Sequence, residues 1–166
     1  MDSGDPFDDV LTANEAYAAS YHLSGLEGRA ARGLAVLTCM DSRIDPLGML
    51  GLVPGDAKIL RNAGARVTED VLRTLVLATS LLDVERVMVV AHTRCRMASG
   101  SEEAVHRAIA DAGGPDTRSI SFLTTADQQS SLRDDVQRIR SWPYLRDVTA
   151  GGFLLDLDTG RLARVC

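Results

Sequence analysis

The chain lacks any apolar run approaching the roughly 18 residues that a membrane helix needs; its 45% hydrophobic content is broken into short segments, and a soluble protein is expected. Lysine is nearly absent. Lys58 is the only one among 18 cations, and these are interspersed with 23 acidic residues for a net charge of -5, so there is no basic face for a nucleic acid. The first residues, Met-Asp-Ser-Gly-Asp-Pro-Phe-Asp-Asp, have neither the basic start nor the apolar core of a secretory signal, which makes the cytoplasm the expected location. Cysteine is scarce too. Three cysteines cannot all pair and their spacing gives no disulfide framework, so Cys39 and Cys95 are expected as reduced thiols serving metal or packing, with Cys166 a spectator. No repeat, coiled-coil register or low-complexity linker interrupts the 166 residues, a length that suits a single domain with a real core.

What is present alternates between two periodicities. Residues 7–24 have amphipathic helical spacing with many alanines and need a surface to pack on. Leu34 to Thr38, Ala57 to Leu60 and Val87 to Ala91 are short apolar runs of the kind found in strands, the last suiting a strand covered on both faces. Asp45-Pro46 predicts a short helix through Leu50, and Thr68 caps a helix carrying Val71, Leu72, Leu75, Val76, Ala78 and Leu82. Further helices are expected over 101–112 and 127–141, separated by an irregular connection, and 152–156 with 161–165 read as a terminal hairpin about Leu157-Asp158-Thr159-Gly160. The alternation predicts an α/β fold: a mostly parallel central sheet of about four to five strands covered by helices, with an N-terminal helical arm.

The chemistry gathers where two of these runs end. One ends in Cys39, followed by Met40, Asp41, Ser42 and Arg43; the other ends in His92, with Cys95 one turn beyond. If the two strands flank the point where strand order reverses, Cys39 and His92 face each other in the crevice where open sheets bind ligands. A single His-x-x-Cys equally suits a buried structural cysteine beside a hydrogen-bonded histidine. Cys39 as a third donor changes that, because Cys39, His92 and Cys95 then form a Cys2His set that leaves one position of a tetrahedral zinc ion open, as catalytic sites do. Two thiolates and a neutral imidazole cancel the charge of the ion and make it a weak acidifier of water. Asp41 could accept the hydrogen bond of that water or occupy the fourth position itself, and Arg43 could hold it away as a bidentate partner.

With these residues in place, the sequence resembles the β-class carbonic anhydrases. The likeness rests on Cys39-Met40-Asp41-Ser42-Arg43, Ile59-Leu60-Arg61-Asn62-Ala63-Gly64, Val67 to Arg73, His92-Thr93-x-Cys95, Gly152-Phe153 and Asp158-Thr159-Gly160, and spans roughly residues 10 to 165. It implies a zinc enzyme that interconverts carbon dioxide and bicarbonate by a zinc-bound hydroxide, with Cys39, His92 and Cys95 as ligands and Asp41 with Arg43 as a gating pair. Ala63, Gly64 and Ala65 would line the substrate pocket. The resemblance also implies a homodimer or higher homo-oligomer in which residues 1–30 form an arm on the partner subunit. One departure stands out: Arg94 and Arg96 flank the second cysteine where the family usually has an acid and a glycine. They could stabilise the thiolate or attract bicarbonate, Arg96 turned into the cleft could obstruct the pocket or pair with Asp41, or both could reach solvent or a subunit interface and alter little. Two other readings stay open: a carbonyl sulfide or carbon disulfide hydrolase of the same fold, and a non-catalytic zinc-binding homologue.

Overall fold

The computed structural model describes residues 4–145 and 147–166. Five strands form one sheet: β1 (Leu34–Cys39), β2 (Ala57–Asn62), β3 (Arg86–His92), β4 (Thr149–Leu155) and β5 (Leu162–Arg164), in the order β2-β1-β3-β4-β5. The first four are parallel and only the β4–β5 pair is antiparallel, which is the expected terminal hairpin. The strands run one to two residues beyond the apolar runs that announce them, so Cys39 and His92 are the last residues of β1 and β3 rather than the first of the following loops. Strand order reverses at β1, whose neighbours are β2 and β3, and the C-terminal ends of β1 and β3 open into the crevice this topology creates.

Alternation along the strands sorts the core into two layers. Ala35, Leu37, Val87, Val89, Ala91 and Ala150 pack against two helices, α2 (Glu69–Leu81) and α4 (Gln128–Arg140), through Leu72, Leu75, Val136 and Ile139. Thr68 Oγ1 accepts the N–H of Val71 at 3.4 Å, the cap that starts α2. Helix α4 lies against the glycines of β4: a Cβ on Gly152 would sit 2.7 Å from Cys166 Sγ and 2.9 Å from Leu132 Cγ. Leu34, Val36, Val90 and Leu155 line the opposite face, where Ile44, Leu47 and Leu52 cover them.

That second cover corrects one expectation. The helix expected from Asp45-Pro46 is a single 3-10 turn, Gly48–Leu50. Asp45 Oδ1 does accept the N–H groups of Leu47 and Gly48, but Gly51 at φ +63° ends the turn immediately. The first helix is also shorter than residues 7–24: α1 (Asp8–Ala19) buries none of its residues, and Phe7, Val10, Leu11 and Tyr17 stand more than half exposed. Helix α3 (Glu102–Asp111) buries none either, and its Glu102 carboxylate accepts the N–H groups of Phe122 and Thr124 at 2.8 Å, tying down the irregular connection that follows. Among the described residues no helix is long and apolar enough to cross a membrane.

Candidate metal centre

Cys39, His92 and Cys95 each present one donor atom, and these atoms lie within 4.8 Å of one another. All three side chains are buried. Two parallel strands deliver the first two, and a left-handed residue, Arg94 at φ +56°, turns the chain so that Cys95 points back at them. Cys166 is not part of the group; it packs against β4.

His92 carries the clearest signature. Its Nδ1 donates to the carbonyl of Thr93 at 2.8 Å, which fixes the proton there and leaves the Nε2 lone pair free. Nε2 is fully buried and has no hydrogen-bond partner, the only such side-chain atom among the described residues. A buried nitrogen without a partner is costly, and a metal ion satisfies it. The donor set of two sulfurs and an imidazole suits zinc.

The charges agree. The neighbouring Cys95 thiol lowers the Cys39 thiol far below its ordinary value, against the effect of burial and with help from His92 and the Gly64 N–H, while the nearby Cys39 sulfur and burial raise Cys95. Burial disfavours a charged His92, but the Cys39 sulfur, the Thr93 carbonyl and Asp41 outweigh it and raise the imidazole. The pocket thus draws positive charge to the point between these donors, as a proton or as a cation.

Asp41 stands at the edge of this group, its Oδ2 3.9 Å from His92 Nε2. Arg43 grips it with Nε on Oδ1 at 2.9 Å, Nη2 on Oδ2 at 2.6 Å, and its backbone N–H on Oδ1 at 3.0 Å. These bonds hold the carboxyl well below the usual carboxylate range. Arg43 Nη2 also reaches the Arg94 carbonyl at 3.4 Å, bridging the loops after β1 and β3.

Beyond β2 the chain makes a 3-10 turn, Ala63–Ala65, broken at Gly64 with φ +82°. Gly64 and Ala65 line a cavity of about 10 Å³, room for one water, that also touches Cys95, whereas Ala63 faces an outer cleft of about 470 Å³ with Arg61, Thr68 and Phe122. The three residues expected at one pocket are therefore divided between an inner and an outer space. The Gly64 N–H donates to Cys39 Sγ at 3.4 Å.

The two unexpected arginines behave differently from each other. Arg94 places Nη2 2.8 Å from Asp158 Oδ1, on the β4–β5 turn. Arg96 is exposed and makes no side-chain hydrogen bond among the described residues, and Asp41 is held by Arg43 instead. Several supporting contacts carry no sequence signal as such. Arg61 braces the first loop by donating to the carbonyls of Cys39, Asp41 and Ile44, and Gln128 donates to the His92 carbonyl at 3.1 Å. Their partners are backbone atoms, which no residue identity reveals.

A doubly covered, mostly parallel sheet with a Cys2His donor set at its strand-order reversal defines an α/β protein with a zinc-type centre. The family model described as carbonic anhydrase matches residues 34–150. β-Carbonic anhydrase 1 of Mycobacterium tuberculosis is 34% identical over 161 residues, covering 95% of this chain and 96% of that protein. The solved structure of carbonic anhydrase from Streptococcus mutans superposes with a TM-score of 0.89 at 34% identity, over 96% of this chain and 97% of that one. A carbon disulfide hydrolase of Acidithiobacillus thiooxidans is 28% identical over 152 residues, 79% of this chain and 76% of that protein. The chain belongs to the β-carbonic anhydrase family, whose members are zinc-dependent.

Proposed function

We propose that this protein catalyses the reversible hydration of carbon dioxide to bicarbonate, with zinc held by Cys39, His92 and Cys95. The observation that carries this is the orphaned, buried Nε2 of His92 beside two cysteine sulfurs, with a locked carboxylate 3.9 Å away. When bound, the ion would lower the pKa of the water in its open position and so supply the hydroxide nucleophile. Asp41, ionised and fixed by Arg43, is an acceptor for the hydrogen bond of the attacking water and orients its lone pair. Arg43 acts through Asp41, keeping it off the fourth position at the metal. This favours an active enzyme over a zinc protein closed permanently by its own aspartate. Gly64 and Ala65 give a small, apolar wall beside the donor group, suited to a small linear substrate.

Stopped-flow hydration with zinc-loaded protein tests the proposal. A zinc-dependent rate well above buffer at pH 7 and 9, abolished by Cys39→Ser, is expected; no such rate at either pH overturns it. Sulfide release from carbon disulfide or carbonyl sulfide in place of hydration would assign the hydrolase activity instead.

Residues 1–166 act in this proposal as one cytoplasmic domain that works as a homodimer or larger homo-oligomer. Helix α1 supports an intersubunit arm, because Phe7 at 63%, Val10 and Leu11 at 56% and Tyr17 at 55% leave more than half of their surface exposed.

A further inference from the structure

Arg66 and Asp135 form the most enclosed arginine–carboxylate pair among the described residues, away from the three donor atoms. Arg66 Nε donates to Asp135 Oδ2 at 2.6 Å, with side-chain exposures of 19% and 8%. Arg66 Nη1 also donates to the Leu123 carbonyl at 2.7 Å. The backbone of the same residue closes the loop beside the metal centre: its N–H donates to Asn62 Oδ1 at 2.8 Å, and its carbonyl accepts from Asn62 Nδ2 at 2.7 Å. Inside that closed loop Gly64 and Ala65 are both left-handed, at φ +82° and +57°. An alanine persists in that conformation only where its surroundings over-determine it. The restraint ends on one contact, the Gly64 N–H on Cys39 Sγ at 3.4 Å.

Given the metal site proposed above, we infer that the Arg66–Asp135 pair is a positioning device that holds the 62–66 loop on α4 and so fixes the Gly64 N–H against the Cys39 sulfur. An N–H donor draws electron density from a thiolate. The sulfur then donates less to its metal, which stays more electrophilic in a site where two thiolates would otherwise neutralise it. Stability alone is a poor account of the pair, because apolar residues of similar size usually replace a buried ion pair without loss. Its geometry does what apolar residues would not: it anchors the loop to the helix that also supports the His92 carbonyl through Gln128.

The test uses the full chain loaded with cobalt(II) in place of zinc and follows the thiolate-to-cobalt charge-transfer band. Two variants are compared with the wild type. Asp135→Asn weakens the pair in nearly the same shape, and the double variant Arg66→Met with Asp135→Leu replaces it by apolar side chains that fold without a stranded charge. The inference expects the thiolate-to-cobalt band to move to longer wavelength in both variants, because a sulfur that loses its N–H donor is more electron-rich. It also expects the double variant to melt close to the wild type. A wild-type band that stays in place in the variants, with or without a lower melting temperature, overturns the positioning role alone. A wild type that shows no thiolate band overturns the metal site and this role together. Should the double variant not fold, the band of Asp135→Asn decides.

Discussion

Arg43 holds both carboxylate oxygens of Asp41, at 2.9 and 2.6 Å, and stops the carboxylate 3.9 Å short of His92 Nε2. Replacing Arg43 by alanine leaves Asp41 free to turn toward the metal. Carbon dioxide hydration should then fall about 100-fold with zinc content unchanged, the size of effect seen when one preorganised polar partner is removed. Stopped-flow rates and elemental analysis of the same samples check both halves.

The same pair sets a pH dependence whose sign follows from Asp41. Its carboxyl is lowered by Arg43 from the ordinary 3.8, so the stabilisation is complete above that value and is lost as pH falls below it. Urea midpoints of wild type and Arg43→Ala should differ by a constant amount from pH 7 to 5 and converge in acid. Asp41 also stays ionised between pH 6 and 9. A hydration rate that rises over this range therefore reports loss of a proton from the attacking water; a flat profile contradicts the proposed chemistry.

Removal of metal should cost the fold as well as the activity. A ligand present at a thousand times its dissociation constant stabilises the native state by about 4 kcal/mol, so dialysis against a chelator should lower the melting temperature, and returned zinc should restore it. Cys39→Ser and His92→Ala proteins should melt at the same temperature with and without chelator. Calorimetry with measured zinc content decides the point.

Gly64 adopts φ +82°, and a Cβ there would lie 3.1 Å from Met97 Cβ. Gly64→Ala should lose about 1 to 2 kcal/mol from backbone conformation alone, before any cost of moving Met97. Equilibrium urea unfolding measures this, and hydration should fall too because the N–H on Cys39 moves.

Helix α1 buries nothing within its own chain, so deleting residues 1–20 should leave the melting of the protomer core little changed and shift sedimentation toward a monomer. An unchanged sedimentation coefficient after deletion would remove the intersubunit role of the arm.

Much of this molecule was written locally. The strands β1 and β3 are legible because a strand buried within a parallel sheet is a continuous apolar run, and their terminal Cys39 and His92 need only be counted along it. Asp41 and Arg43 are legible because they are two residues apart, within reach whatever the fold does. The turn at 48–50 is not, because Asp45 and Pro46 signal how a helix starts while Gly48 and Gly51, as strongly, stop it. The fate of Arg94 and Arg96 was open for a different reason: a long side chain follows whichever partner is near, and Asp158 meets Arg94 only because β5 folds back on β4.

The residues alone determined the donors, the acid beside them, the parallel α/β plan and the family likeness, since each depends on side-chain chemistry and short spacing. Only the tertiary structure decided that the 63–65 turn splits between two spaces, that a backbone N–H meets the Cys39 sulfur, and that Arg66 finds Asp135 across 69 residues. Those contacts are made by backbone atoms or by side chains distant along the chain, and their partners are set by how the layers pack.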